Sequence, residues 1–207
     1  MLAFYDDTHE YRVDGVAVPS VSEIIRFLSR EAYTSVSQWR MAEAADRGTR
    51  VHYCCEALDK QGACGAEDDI AGYVRAYAGF LEAHRVEWRG IEAALYHPQL
   101  LYAGTLDRYG TVDGMPVVVD IKTSAQPNFA LVDAQLGGYG LLAASMGFTA
   151  QRHLCLHLRR DGSHRLIWHD TVPDLFLSCL DLHNALKPKT RRRALWNKPN
   201  KPNKPQK

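Results

Sequence analysis

The sequence predicts a single domain of the α/β or α+β class, in which helices flank a central mixed sheet. Two Asp-Gly pairs, at residues 113–114 and 161–162, each stand between apolar segments, a pattern that strongly indicates a β-hairpin. Segments with helical spacing of apolar residues come before and after these hairpins. At 207 residues the chain is long enough for one domain with a sizeable core. These three observations predict one folded unit over residues 1–186.

The first half of the chain is predicted to contain short strands followed by three helices. Ser20 and Glu23 form a capping-box pattern, which starts the first helix. Apolar residues at helical spacing predict the second helix, and a glycine-rich loop at 62–66 separates it from the third. The predicted elements are strands at about 2–5 and 10–18, joined through Asp6-Asp7-Thr8-His9, a helix from Ser20, and helices at about 36–58 and 68–85.

The second half is predicted to contain most of the sheet. Strands are expected at about 91–96, 101–111 and 116–122, a helix at about 127–146, a hairpin with strands around 154–158 and 166–168, and a final helix at about 173–186. The helix at 127–146 contains Gly137, Gly138 and Gly140. Each glycine costs a helix roughly 1 kcal/mol relative to Ala. We therefore expect close packing, or a close approach of a ligand, at these glycines.

The hairpin around Asp113-Gly114 brings charged residues together. If these two residues form the tip, Val112 faces Met115 and Asp107 lies directly across from Asp120. Lys122 points to the same side as Asp120, because residues two apart on a strand share a face. Two carboxylates so close repel each other unless a proton or a cation lies between them. The sequence therefore predicts a cation site at this hairpin.

A surface strand whose acids simply pair with Lys122 is the alternative interpretation. The run Val117-Val118-Val119, followed by Ile121, is apolar on both faces, which is typical of a strand buried on both sides. Burying charges in such a strand is costly unless they have a function. This pattern favours the cation site over the surface strand.

Composition and cysteine usage restrict the class of protein. A hydrophobic fraction of 46% with 24% charged residues is typical of a soluble globular protein. No apolar stretch approaches the roughly 20 residues of a membrane span, and the N-terminus lacks a signal-peptide pattern, so we expect a cytoplasmic protein without a membrane partner. Five cysteines, of which Cys54 and Cys55 are adjacent and the other three scattered, form no CxxC pair. This odd number favours reduced thiols over a disulfide framework and disfavours a zinc or iron–sulfur site.

The segment 187–207 differs from the rest of the chain in charge. It holds nine of the 25 Lys and Arg residues and no acid, which leaves the body with 16 basic and 24 acidic residues. Three consecutive Asn-Lys-Pro triplets occupy 197–205 and cannot build a core, so we expect a disordered tail. A mobile cationic arm suits a polyanion, although a tail that only promotes solubility fits the composition equally well.

Five spaced motifs, together with Glu92, resemble the PD-(D/E)XK nuclease superfamily and, within it, the RecB-like branch. That branch includes CRISPR-associated adaptation nucleases, the mitochondrial genome maintenance exonuclease and many phage exonucleases. The resemblance covers most of residues 1–160. The motifs are Val18-Pro-Ser-Val21, Gly48-Thr-Arg-Val-His52, Gly104-Thr-Leu-Asp107, Asp120-Ile-Lys122-Thr123 and Gln135 to Tyr139.

The chain departs from the family pattern in two respects. Leu106-Asp107 replaces the usual Pro-Asp pair, a variation that is common in this branch. The four placed cysteines of the iron–sulfur members are absent, so no cluster is expected. The resemblance implies a restriction-endonuclease-like core.

The resemblance also implies the roles of individual residues. One or two Mg²⁺ or Mn²⁺ ions would be held by Asp107, Asp120, the main-chain carbonyl of Ile121 and the imidazole of His52, with Glu92 serving a second ion. Lys122 would stabilise the attacking nucleophile, and the neighbouring acids should keep it protonated. Gln135 and Tyr139 would position the substrate or Lys122. Contacts with nucleic acid would come from Ser20, Arg47, Arg50, Thr123 and, in the tail, Arg191, Arg192 and Arg193.

Two of these residues have simpler explanations. A histidine within a helix, such as His52, is more often exposed than a ligand, although Gly48 one turn earlier would let the helix lie close to another backbone. Glu92 could equally occupy an exposed edge position.

The function implied is a metal-dependent DNA exonuclease of phage or mobile-element recombination or replication. The substrate would be single- or double-stranded DNA, and a single-strand annealing protein is a possible partner. If phage-encoded, the protein would act in the host cytoplasm. A structure-specific endonuclease and an inactive DNA-binding module of the same fold remain alternatives, and RNA is not excluded as a substrate.

Overall fold

The computed structural model of the chain describes residues 1–5, 8, 10–34, 36–170 and 173–187. Within these residues the chain forms two sheets and six helices. The elements are β1 (Leu2–Tyr5), β2 (Glu10–Val13), β3 (Val16–Val18), α1 (Val21–Ile24), α2 (Arg26–Ala32), α3 (Gln38–Gln61), α4 (Ala71–Ala83), β4 (Val86–His97), β5 (Tyr102–Val112), β6 (Met115–Lys122), α5 (Phe129–Ser145), β7 (Arg152–Leu158), β8 (His164–His169) and α6 (Asp174–Leu186).

The larger sheet has five strands in the order β4-β5-β6-β7-β8. Strands β6 and β7 are parallel, and the other neighbouring pairs are antiparallel. Helix α5 connects β6 to β7, as a parallel pair requires. The predicted class, a single domain with a central mixed sheet flanked by helices, is confirmed.

The predicted hairpin register is confirmed. Val112 pairs with Met115, and the pairs continue in step to Arg108 and Val119. Both turn residues, Asp113 and Gly114, have positive φ angles of 52° and 81°. This is the backbone that a two-residue hairpin turn of type I′ needs, and it accounts for the Asp-Gly sequence.

Strand β6 is buried on both faces, as the sequence predicts. Val118 belongs to a core formed with α1, α5 and α6, whereas Val117, Val119 and Ile121 belong to a second core formed with α3 and α4. None of these four side chains is more than 1% exposed. The surface-strand interpretation is therefore wrong for β6.

The N-terminal sheet, in the order β1-β2-β3, lies beside the main sheet. The Tyr11 hydroxyl on β2 lies 2.7 Å from Thr105 Oγ1 on β5. A parallel bridge also pairs Ser20 with Ala103. The small sheet is thereby attached to the strand that carries Asp107.

Several predicted boundaries differ from the structure. The strand expected at 10–18 is divided by a turn at Asp14 and Gly15, whose φ angles are 49° and 80°. The helix that begins after Ser20 is interrupted at Ile25, which separates α1 from α2. Strand β4 starts at Val86, earlier than predicted, because its first residues pair with the end of β5 across an irregularity between Trp88 and Gly90.

The glycines of α5 confirm the expected close packing at two positions. A Cβ on Gly138 would lie 2.7 Å from the ring of Phe176, and one on Gly140 would overlap the imidazole of His153. Gly48 on α3 behaves differently, because a Cβ there would only reach Thr123 Oγ1 at 3.9 Å. The close approach of a second backbone expected at Gly48 is therefore wrong.

The expectation of reduced thiols is wrong for two of the five cysteines. Cys54 on α3 and Cys64 in the following loop form a disulfide, with Cα atoms 5.4 Å apart. The loop folds back on the end of α3, and this proximity has no local signature in the sequence. Cys55, Cys155 and Cys179 are free and buried.

In the described part of the chain, no helix is both long enough and apolar enough to span a bilayer. Residues 188–207 lie outside the described part of the chain, and they include most of the expected basic tail with Arg191, Arg192 and Arg193. Asp6, Asp7 and His9 also lie outside the described residues.

Candidate functional site

An open cleft of about 1490 Å³ lies between the N-terminal sheet, α1, α3 and the strands β4 and β5. His52, Glu92 and Asp107 line it, together with Tyr139. The charged residues among its described lining are mostly acidic: Glu10, Asp14, Glu23, Glu56, Glu92 and Asp107, against Arg26 and Lys187. The cleft is therefore better suited to binding a cation than to holding a bare polyanion.

Three carboxylates stand in one row across the sheet. Ile91 pairs with Arg108 and Ala93 with Leu106, which places Glu92 and Asp107 at facing positions between these pairs. On the other side of β5, Asp120 is the next position in register after the pair Arg108 and Val119. Glu92, Asp107 and Asp120 thus occupy neighbouring places on β4, β5 and β6.

His52 completes a three-residue cluster with two of these carboxylates, which we call the metal cluster. His52 Nδ1 lies 3.3 Å from Glu92 Oε1 and 3.6 Å from Asp107 Oδ1. One ligand atom from each of the three residues lies within 4.8 Å of the other two. Ligands at about 2.0 to 2.6 Å from a common ion stand at such separations, so the cluster is placed to hold one divalent cation.

The electrostatic environment of the metal cluster favours a cation, and the backbone at Glu92 is strained. Burial opposes a charged imidazole, but Asp107 and Glu92 outweigh it and raise the pKa of His52 to about 9. The carboxylates therefore favour positive charge at this place. Glu92 has a φ of 45°, a left-handed backbone that is uncommon outside glycine. Such strain is often found at functional sites.

The main chain of Ile121, predicted to offer its carbonyl to a metal ion, contacts two members of the metal cluster. Its carbonyl accepts a hydrogen bond from His52 Nε2 at 3.1 Å, on the side of the ring opposite to the carboxylates. Its N–H donates to Asp107 Oδ2 at 2.6 Å. In this arrangement the Ile121 main chain orients His52 and Asp107, and a role for its carbonyl as a metal ligand stays a prediction.

Asp120 belongs to a second group with Lys122. The two oxygens of Asp120 lie 2.9 and 2.8 Å from Lys122 Nζ. Lys122 also donates to Gln135 Oε1 at 2.9 Å, and Gln135 Nε2 donates to the Tyr139 hydroxyl at 3.0 Å. This chain of contacts brings together the four predicted catalytic residues other than Asp107.

Lys122 stays charged in this environment. Burial works against its ammonium group, but the charges of Asp120 and Asp107 outweigh it and raise the pKa of Lys122. Burial also raises the pKa of the carboxyls of Asp107 and Asp120, so both gain from a nearby cation.

Sequence reasoning did not find Arg108, whose side chain holds Glu92 of the metal cluster to Asp59. Its side chain is fully buried, donates from Nε to Asp59 at 2.6 Å and from Nη1 to Glu92 at 3.0 Å. Asp59, on α3, also accepts from Tyr77 and Trp88. The one available signal was a charged residue next to Asp107 in an otherwise apolar strand.

The predicted nucleic-acid contacts are scattered. Ser20 lines the cleft, but its hydroxyl oxygen caps α1 by accepting from Glu23 N at 2.9 Å. Thr123 is buried directly after Lys122. Arg47 lies over the ring of Tyr73.

Arg50 has partners within the chain. Its guanidinium pairs with Asp46, Glu67 and Asp69, and it does not line the cleft described above. A phosphate would have to displace these carboxylates, so the structure gives Arg50 a role in holding the loop after Cys64 to α3.

Comparisons with known proteins give only distant similarities. No family model and no curated protein matches the chain. Among solved structures, SSO0001 is similar at 17% identity, over 82% of this chain and 73% of that one, with a TM-score of 0.40. An alkaline exonuclease from Laribacter hongkongensis is similar at 13% identity, over 73% of this chain and 86% of that one, with a TM-score of 0.38. A structure of the same exonuclease in complex with dAMP gives 13% identity, 86% and 93% coverage and a TM-score of 0.41. At this level the similarities assign no function.

Proposed function

We propose that the protein is a metal-dependent deoxyribonuclease that hydrolyses phosphodiester bonds. One observation carries the proposal: a cluster of candidate ligands for a divalent cation lies near a charged, oriented lysine, beside an open cleft. Phosphodiester hydrolysis needs positive charge at the phosphate and at the attacking and leaving oxygens. The two groups together supply positive charge at neighbouring points.

A divalent cation held by His52, Glu92 and Asp107 would supply Lewis-acid charge for the phosphate oxygens. Oxygen ligands with one imidazole suit Mg²⁺ and Mn²⁺. Lys122 adds a second positive charge that is fixed in place by Asp120 and Gln135. Because its pKa is raised, Lys122 acts by stabilising negative charge that develops in the transition state, and general-base action is disfavoured.

Gln135 and Tyr139 keep Lys122 in position. The Gln135 carbonyl oxygen accepts from Lys122, and its amide nitrogen donates to Tyr139. Tyr139 is anchored by its surroundings, since it lies against Gly104, where a Cβ would come within 3.1 Å of its ring. A preorganised ammonium costs no reorientation during the reaction, which is the basis of electrostatic catalysis.

We further infer that the enzyme degrades DNA from its ends, in recombination or replication of a phage or mobile element and in the host cytoplasm. The spaced motifs that resemble RecB-like enzymes support this narrower assignment. A single-strand annealing protein is the partner that such a role implies.

The first prediction concerns cleavage. Asp107→Ala, Asp120→Ala and Lys122→Ala should each lower cleavage of DNA by at least about 100-fold, because each removes charge from the reacting centre. The assay uses end-labelled linear DNA with Mg²⁺ or Mn²⁺, and EDTA should abolish the activity of the wild type. Asp181→Asn is the control, because Asp181 is exposed on α6 and does not line the cleft.

Unchanged cleavage by Asp120→Ala in a folded protein, shown by an unaltered circular dichroism spectrum, contradicts the proposed site. Circular DNA incubated in parallel separates the two modes of attack. Survival of circles where linear DNA disappears identifies an exonuclease, and loss of both identifies an endonuclease.

A further inference from the structure

A second, smaller pocket of about 300 Å³ lies next to Lys122, at the carboxyl ends of β6 and β7. Its floor is formed by His157, Arg159, Arg165 and Ile167 of the β7–β8 hairpin. Its wall is the segment 125–129, which leads from β6 into α5. We call this the hairpin pocket.

The hairpin pocket continues a row of basic residues that begins at Lys122. Lys122 pairs with His157 across β6 and β7, and His157 pairs with Arg165 across β7 and β8. Residues paired in this way share a face of the sheet. With strands about 4.8 Å apart, Arg165 stands about 10 Å from Lys122 along this row. The basic row runs beside the row of carboxylates, two residues further along β6.

The two arginines of the hairpin pocket are available to a ligand. Neither Arg159 nor Arg165 makes a side-chain ion pair or hydrogen bond within the described residues, although Arg159 is near enough to Asp161 to help lower the pKa of that carboxyl. Arg165 is exposed, and no acid is found among the described residues that line the pocket. The large cleft has the opposite character, since six carboxylates and two cationic side chains are among its described lining.

His157 and Phe129 give the hairpin pocket a fixed shape. His157 is 4% exposed, and its Nε2 donates to the carbonyl of Ser124 at 2.7 Å, which holds the wall against the floor. Phe129, at the end of the wall, is 57% exposed. An exposed aromatic ring beside two guanidinium groups is a combination found in proteins that bind single-stranded nucleic acid, where bases stack on the ring and phosphates bind arginine.

We propose that the hairpin pocket is a phosphate-binding subsite for a single strand of nucleic acid, with Arg159 and Arg165 contacting phosphates and Phe129 stacking on a base. The proposal rests on the proposed nuclease function in placing the cleaved bond next to Lys122. A polyanion that meets the metal cluster is repelled by the other carboxylates of the cleft. It is attracted by the basic row, which therefore sets the direction in which the strand leaves the site.

The test measures binding separately from cleavage. Binding of fluorescein-labelled single-stranded oligodeoxynucleotides to the full chain is followed by fluorescence anisotropy in EDTA, over a series of salt concentrations. The variants are Arg159→Ala, Arg165→Ala and Phe129→Ala. Arg160→Ala is the matched control, because Arg160 is exposed on the same hairpin but does not line the pocket.

Replacing either pocket arginine by Ala should reduce the magnitude of the slope of log binding constant against log salt concentration by about 0.7. This is the value for one phosphate contact with a single strand. Each substitution should also weaken binding of a hexadecanucleotide by about fivefold at low salt, and Phe129→Ala should weaken it by about tenfold with an unchanged slope. Binding of a dinucleotide should be much less affected, because it cannot reach both Lys122 and Arg165. Arg160→Ala should match the wild type.

The proposal is overturned if Arg159→Ala and Arg165→Ala bind the hexadecanucleotide with the affinity and salt slope of Arg160→Ala, or if the wild type binds no oligonucleotide. Cleavage in Mg²⁺ or Mn²⁺ is scored independently. If the wild type cleaves DNA and the arginine variants bind the oligonucleotide normally, the proposed subsite is wrong and the proposed nuclease activity is supported. If the wild type binds the oligonucleotide through these arginines but does not cleave DNA, the proposed nuclease activity is wrong and the proposed subsite is supported.

Discussion

At the scale of single residues, Arg108 does the most to fix the geometry of the site. Its buried guanidinium connects Asp59 on α3 with Glu92 on β4, and α3 also carries His52. One buried cation thus sets the relative position of two ligands of the metal cluster. Removing one partner of a buried ion pair is strongly destabilising, because the other partner is left desolvated.

We predict that Arg108→Met lowers the free energy of unfolding by about 3 to 5 kcal/mol, because Asp59 keeps a buried charge without its partner. Urea denaturation followed by circular dichroism measures the change. Arg85→Ala is the control: Arg85 is mostly exposed and pairs with the exposed Glu87, so its loss should cost under about 1 kcal/mol. Equal losses in the free energy of unfolding for the two substitutions would show that the buried ion pairs of Arg108 do not stabilise the fold more than an exposed pair.

At the scale of elements, α5 shows how a sequence can weaken a helix to gain packing. Gly138 lies against Phe176 of α6, and its carbonyl accepts a hydrogen bond from Tyr102 at 2.7 Å. Close contact on this side holds α5 against the sheet, where Gln135 and Tyr139 meet Lys122. The cost in helix propensity is offset by tight packing against α6, beside a hydrogen bond from Tyr102 of β5.

We predict opposite effects for alanine at two helical glycines. Gly138→Ala should destabilise the fold by about 1 to 3 kcal/mol, because the new methyl group meets the ring of Phe176 at 2.7 Å. Gly48→Ala should stabilise it by up to about 1 kcal/mol, since its methyl group meets only Thr123 Oγ1 at 3.9 Å and Ala favours the helix. Thermal unfolding of the two variants and the wild type measures both changes in stability. A Gly138→Ala variant more stable than the wild type would refute the packing explanation.

At the scale of the whole molecule, the metal cluster joins α3 to the edge strand β4 and to β5. Its ligands come from positions 52, 92 and 107, so a cation can bind them together only in the folded chain. A ligand that binds only the native state stabilises it in proportion to its concentration.

We therefore predict that Mn²⁺ or Mg²⁺ raises the melting temperature in the absence of DNA. At 100 times its dissociation constant, a cation should add about 2.7 kcal/mol to the free energy of unfolding. Asp107→Asn should lose this increase, whereas Asp161→Asn, outside the cluster, should keep it. Differential scanning calorimetry with and without the metal decides the matter. An identical shift in Asp107→Asn would place the cation elsewhere.

Local signals in the sequence were sufficient for the hairpin that forms the site. Asp113-Gly114 determines the turn, the turn determines the register, and the register places Asp107 next to Asp120. Spacing on a strand places Lys122 on the face of Asp120, and spacing on a helix places Gln135 and Tyr139 on one side. Their contact with Lys122 was implied by the family resemblance and not by spacing.

The features that sequence reasoning missed depend on contacts between distant residues. Asp59 and Arg108 are separated by 49 positions, and no periodicity connects them. The fold-back that joins Cys54 to Cys64, and the three carboxylates that hold Arg50, also depend on how a loop packs against α3. Local pattern therefore predicted the two hairpin acids and Lys122, and the family resemblance implied the other site residues. Neither indicated the buried groups that orient them.

The residues of the proposed site lie between His52 on α3 and Tyr139 on α5. The three strands that precede this stretch form the far wall of the cleft and contribute no ligand to the metal cluster. The far wall and the proposed ligands therefore come from consecutive parts of the described chain. Under the proposed function, substitutions in this wall are expected to change access to the cleft while the ligands keep their places.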